Sequence, residues 1–162
     1  SNVGKSSLIN SFTKSSIAKT SKTPGRTRSL VLFQSNKKLR VVDFPGYGYS
    51  KIPRAKEDKL NKLIDNYIQK RKNLSLFCLL IDSLHGFKQI DKIILNQLND
   101  YIQEKIIIIF TKIDKLKNKH DREALKELNN ITKFQLNKNF FNTSIKEANT
   151  IILLKKFMVD VL

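Results

Sequence analysis

Short runs of β-branched and aromatic residues alternate along this chain with longer stretches whose apolar residues recur at three- and four-residue steps. The short runs predict strands at Ser29–Gln34, Leu39–Phe44, Leu76–Asp82, Lys105–Thr111 and Phe140–Thr143. Ser35-Asn36-Lys37-Lys38 is a polar turn short enough to fold the first two into an antiparallel hairpin. Leu60, Leu63, Ile64, Tyr67 and Ile68 take the spacing of one face of an amphipathic helix. Ile90, Ile93, Ile94, Gln97 and Tyr101 repeat it, with Gln97 as a polar interruption. A third helix is predicted near Asp121–Asn130 with Asp121 as its N-cap. A fourth, around Glu147–Val161, turns Ile151, Leu154, Met158 and Val161 to one side. Such alternation predicts an α/β domain whose mainly parallel sheet is covered on both faces. With no internal repeat, linker or low-complexity segment, residues 1–162 are expected to form one domain.

Composition narrows the class without naming a chemistry. A chain of 162 residues can bury one core. Its longest apolar run, Ile106–Phe110, falls far short of the roughly 20 residues of a membrane-spanning helix, so no membrane insertion is expected. Cys78 is the single cysteine, which excludes an internal disulfide; it lies in an apolar run and is expected to be core filler. The net charge of +17, from 31 Lys and Arg against 14 Asp and Glu, favours a polyanionic partner. The alternative source of that charge is the codon bias of an AT-rich genome, given the abundance of Lys, Asn and Ile.

Three short motifs carry chemistry, in order along the chain. Gly4-Lys5-Ser6, at the start of a helical pattern, is the second half of a phosphate-binding loop. Gly4 lets backbone approach a phosphate, helix-start N–H groups point at the anion, Lys5 reaches β- and γ-phosphates, and the Ser6 hydroxyl ligates Mg²⁺. Val41-Val42-Asp43-Phe44-Pro45-Gly46 ends a strand with an Asp able to hold a Mg²⁺-bound water, followed by a Gly whose N–H can contact a γ-phosphate. Thr111-Lys112-Ile113-Asp114 ends the most apolar strand. Asp114 there can accept both N1–H and N2–H of guanine, a pair adenine lacks, while the Lys112 stem lies along the base. Each motif alone has an ordinary alternative: a chance tripeptide, a strand with a Pro-Gly turn, a helix cap. Together, in this order and at these element ends, they predict a guanine-nucleotide switch.

With these residues in view, the chain resembles the EngB (YihA) family of ribosome-biogenesis GTPases, relatives of Era and MnmE. The segments that carry the resemblance are Ser1–Asn10, Lys22-Thr23-Pro24-Gly25-Arg26-Thr27, Asp43-Phe44-Pro45-Gly46-Tyr47-Gly48-Tyr49, Lys70–Leu74, Asp82-Ser83-Leu84-His85-Gly86 and Thr111–Lys115. The resemblance implies a P-loop NTPase of Ras-like, three-layer α/β/α form, its mostly parallel sheet carrying one antiparallel hairpin. It implies that Asn2, Val3, Gly4, Lys5, Ser6 and Ser7 wrap the phosphates of GTP or GDP, and that Lys5 and Thr27 serve catalysis. Ser6, Thr27 and Asp43 would hold Mg²⁺; the alternative for Thr27 is an ordinary loop threonine. Gly46, Thr111, Lys112, Asp114, Thr143 and Ser144 complete the nucleotide site. Ser144-Ile145-Lys146 departs from the usual small-residue form of the family's last motif. Asn2 stands where potassium-dependent relatives place a K⁺-binding asparagine, a plain loop asparagine being the alternative.

Tyr47 follows Gly46 where many GTPases carry a water-orienting glutamine. A phenol, with an ordinary pKa of about 10, is a poor general base at neutral pH, so slow intrinsic hydrolysis is expected. His85 and His120 have no catalytic setting. Lys14, Lys19, Lys22, Arg26 and Arg28 flank the first switch, and Lys51, Arg54, Lys56 and Lys59 follow the second. The resemblance implies a monomer that engages ribosomal RNA or a precursor of the large ribosomal subunit, in a bacterial-type cytoplasm or an organelle with such ribosomes. A GTP-dependent RNA-binding module with negligible hydrolysis is the alternative. Because Ser1 falls inside the phosphate loop, a further central strand ending in a glycine is expected before it, between the strands that end at Asp43 and Asp82. Residues 1–162 alone are accordingly expected to be marginally stable and to bind GTP poorly.

Overall fold

The computed structural model describes residues 3–13, 31–35, 39–44, 62, 65–71, 73–102 and 105–161. Among them the chain runs α1 (Lys5–Thr13), β1 (Val31–Ser35), β2 (Leu39–Asp43), a helical stretch α2 at 65–70, β3 (Phe77–Asp82), α3 (Gln89–Ile102), β4 (Ile106–Thr111), α4 (Lys119–Asn130), β5 (Asn139–Asn142) and α5 (Ala148–Asp160). Every predicted strand is present to within two residues at the described positions. Leu60, Leu63 and Ile64 lie outside the described residues.

The β3, β4 and β5 strands form a parallel sheet, with Ile81 opposite Phe110 and Phe110 opposite Asn142. All six β4 residues are buried, as expected for a central parallel strand covered on both faces. Strand alternation divides its side chains between two cores. Ile106, Ile108 and Phe110 pack with Leu79, Ile81, Leu95 and Leu98 on the α3 side; Ile107 and Ile109 pack with Leu8, Ile151 and Leu154 between α1 and α5. Each large apolar side chain so buried contributes about 1.5–3 kcal/mol relative to exposure. The hairpin β1–β2 is a separate antiparallel pair, Val31 opposite Asp43 and Ser35 opposite Leu39. Among the described residues neither β2 nor β3 has a neighbour on its remaining side. Phe44 joins the hairpin to the other sheet, its ring 5.7 Å from Phe77 and edge-on to Tyr67 at 5.5 Å.

Three helix expectations need correction. The buried face of α3 is Asp91, Leu95 and Leu98; Ile93 is 44% exposed and Gln97 points to solvent. The apparent interruption at Gln97 arose from following a neighbouring stripe on a helix rich in apolar residues. The N-cap of α4 is Asn118, whose Oδ1 accepts from the Asp121 N–H at 2.7 Å, placing Asp121 in the first turn. On α5, Ile151 and Leu154 are buried but Val161 is exposed beyond the last turn, and Phe157 takes its place against Phe141 at 4.9 Å. A π-helical turn, Ile131–Gln135, extends α4. No apolar periodicity announces it, and Thr132, fully buried, donates its hydroxyl to the Leu128 carbonyl. No helix among the described residues is long and apolar enough to cross a membrane.

Candidate functional site

The carboxyl ends of β3, β4 and β5 and the start of α1 converge at one end of the sheet, where open α/β sheets hold ligands. Gly4 turns the chain into α1 with φ +90, a conformation that suits glycine. The first N–H groups of a helix have no acceptor within it, so Lys5, Ser6 and Ser7 open α1 with donors suited to an anion. Lys5 Nζ pairs with Asp43 Oδ1 at the end of β2, and Asp43 is buried. The first two motifs therefore meet as a cation and a carboxylate at the start of α1.

The third motif is fastened to the same loop. Thr111 Oγ1 donates to the Val3 carbonyl at 2.6 Å and lies 3.3 Å from the Ile81 carbonyl. The next residue, Lys112, has left-handed backbone (φ 61, ψ 34), an uncommon state for a side chain of this size. The turn carries its stem back over the phosphate loop: a Cβ on Gly4 would sit 3.8 Å from Lys112 Cε. Ile113–Lys115 then form one 3₁₀ turn that presents Asp114.

Asp114 is held from the segment that follows β5. Ser144 Oγ donates to its Oδ1 at 2.7 Å, and Lys146 Nζ lies 3.2 Å from its Oδ2. The Ser144 hydrogen bond, assisted by Lys146 and opposed by partial burial, keeps the Asp114 carboxyl below its ordinary range. The carboxylate is thus ionised at neutral pH. Each carboxylate oxygen accepts more than one hydrogen bond, so the two engaged oxygens retain capacity for a paired N–H donor. Thr143 is buried, its N–H and hydroxyl both donating to the Phe110 carbonyl at 2.7 and 3.0 Å. Ser144 is anchored through its N–H, which donates to Thr150 Oγ1 at 3.0 Å.

Of the residues singled out in the sequence, the structure brings Val3, Gly4 and Lys5 together with Asp43, Thr111 and Lys112, with Ser6 and Ser7 on the same first turn. It joins Asp114 to Ser144 and sets Thr143 beneath them. Asn2, Thr27, Gly46, Tyr47 and the basic residues flanking both switches lie outside the described residues. His85 and His120 are exposed and Cys78 is partly buried, its thiol pushed up to about 12 by burial. Sequence reasoning gave no site role to Asp82, Ser83 or Lys146. Asp82 ends a parallel strand at the ligand-bearing edge, and that position was the available signal.

The chain is similar to known GTP-binding proteins. The family described as "50S ribosome-binding GTPase" matches residues 1–112. The "Probable GTP-binding protein EngB" of Mycoplasmopsis synoviae is 43% identical over 160 residues, covering 99% of this chain and 80% of that protein. A crystal structure of a probable GTP-binding protein EngB superposes with TM-score 0.75 at 26% identity, covering 99% of this chain and 94% of that one. Era in complex with MgGDPNP and nucleotides 1506–1542 of 16S ribosomal RNA shares the fold, with TM-score 0.71 at 22% identity; the match covers 96% of this chain and 52% of Era. The P-loop GTPase fold, the three converging motifs and this likeness lead to one conclusion: the chain belongs to the EngB family of GTP-binding proteins.

Proposed function

We propose that this chain is a guanine-nucleotide switch that hydrolyses GTP to GDP and phosphate and assists assembly of the large ribosomal subunit. The observation that supports it best is the Thr111–Val3 hydrogen bond of 2.6 Å, which fixes the phosphate loop to the strand that presents Asp114. A base and its phosphates would then be read by one rigid unit. In this reading Asp114 accepts from guanine, Lys112 lies along the base, and the Thr143–Ser144 backbone borders it. Lys5 and the start of α1 receive the phosphates. Ser6 and Asp43, with Thr27, are hard oxygen donors that fit Mg²⁺. Bound Mg²⁺ would neutralise charge on the phosphates. Asn2 is assigned to K⁺ from the resemblance to potassium-dependent relatives alone.

A ribosomal partner is supported by the net charge of +17 and by the family description. Tyr47, in place of a water-orienting glutamine, fits slow turnover that a partner or K⁺ accelerates. Single-turnover hydrolysis with and without ribosomal particles tests the enzymatic part: acceleration is expected, and no hydrolysis in either case would favour a GTP-dependent RNA-binding module. Co-sedimentation tests the partner: large subunits should retain the protein with a GTP analogue and release it with GDP. Equal retention in both states would contradict the switch.

A further inference from the structure

The turn Asp82-Ser83-Leu84-His85-Gly86 is one of the segments that carry the family resemblance, and it has no part in the site as described. In the structure it is fastened to the end of β4. Ser83, itself buried, donates to the Thr111 carbonyl through both its hydroxyl, at 2.6 Å, and its N–H, at 3.1 Å. One residue earlier, Asp82 Oδ2 pairs with Lys112 Nζ at 2.6 Å, the two side chains only 13% and 22% exposed. Asp82 Oδ1 accepts the Leu84 N–H at 3.1 Å, closing the turn. Its carboxylate thus does two separable things: one oxygen makes a turn and the other holds a lysine.

We infer that Asp82 is a positioning residue for the nucleotide's base, acting through Lys112. A lysine stem has several rotamers, and ordering them opposes binding unless the protein has already done so. Left-handed backbone at Lys112 aims the side chain back over Gly4, and the Asp82 carboxylate fixes its far end in that path. The stem is then presented as a flat apolar rail beside Asp114, ready before any base arrives. Ser83 locks the backbone on which this depends by holding the Thr111 carbonyl. The inference rests on the guanine-site reading above and deepens it by naming what sets that site in advance.

Asp82→Asn tests it, because Asn retains an oxygen for the Leu84 N–H while removing the charge that holds Lys112. The expected result is a GDP affinity lower by about tenfold, carried by faster dissociation. Competition by Mg²⁺-tripolyphosphate, which has no base, should be unchanged, and the melting temperature should stay within a few degrees. GDP binding within twofold of the unsubstituted protein would overturn the inference. Equal losses for GDP and tripolyphosphate with a lowered melting temperature would also overturn it, by showing a purely structural role. Measuring GDP against ADP in the unsubstituted protein separates the two levels. Absence of guanine preference there removes the guanine reading and this inference with it. Preference there, with GDP affinity unchanged in Asp82→Asn, removes this inference alone.

Discussion

At one edge of the site Asp114 and Lys112 follow β4, a strand buried along its whole length and paired on both sides. At the other, Asp43 ends a two-stranded hairpin whose described ties to the rest include the Lys5 pair and the rings around Phe44. The base half is held by hydrogen bonds among buried and part-buried groups: Thr111 to Val3, Ser83 to Thr111, Thr143 to Phe110, Ser144 to Thr150. Among the described residues, the ties of the hairpin that carries Asp43 include an ion pair and aromatic contacts. A switch benefits from that division, since base recognition should persist through a cycle in which the phosphate-sensing parts rearrange.

The comparison is broken most severely by emptying the rigid half. Ile108 is completely buried in the middle of β4, and Ile108→Ala should cost about 2–5 kcal/mol, lowering the melting temperature by roughly 10 °C. A loss below about 1 kcal/mol would show that β4 is not the centre of stability. Next in size is Lys5→Ala, which leaves the buried Asp43 carboxylate without that cation. We expect about 1–3 kcal/mol, with amide exchange rising first in β2 and last in β4. Uniform acceleration across both sheets would contradict the division.

Thr111→Val keeps the shape of the side chain and deletes its bond to Val3. It should cost about 1 kcal/mol in stability and loosen GDP more than it loosens the fold, because the phosphate loop loses its tie to the base site. Equal effects on GDP binding and melting would reduce Thr111 to a core residue. The smallest expected effect is on titration. The Asp114 carboxyl is held low chiefly by Ser144, so whatever stability or binding depends on its charge is complete above the ordinary aspartate range and is lost as pH falls through the lowered value. Ser144→Ala should move that loss to higher pH. An Asp114 titration followed by NMR that does not shift in Ser144→Ala would contradict the assignment.

How much of this was legible in the sequence depended on which force set each feature. The strands were readable because β-branched and aromatic runs between polar turns have few other uses, and Ile106–Phe110 declared the central strand. Asp43 and Asp114 were readable because motif and strand end coincided. The face of α3 was not: with Ile90, Ile93, Ile94, Leu95 and Leu98 all apolar, two adjacent stripes fit the period, and only packing against Ile81 and Ile108 chose between them. The N-cap of α4 falls on Asn118 rather than Asp121, because both residue types cap well and no local pattern separates positions three apart. Asp82 and Ser83 were seen only as resemblance, since their partners Lys112 and Thr111 are about 30 residues away, and contacts of that range leave no local pattern.

Nucleotide competition read on Asp114 tests the central claim most directly. The protein should bind GDP at least about 100-fold more tightly than ADP, and Asp114→Asn should lose most of its guanine affinity while gaining affinity for xanthosine diphosphate, whose O2 replaces the amino group. Equal affinity for GDP and ADP, or an Asp114→Asn variant with unchanged base preference, would contradict the account.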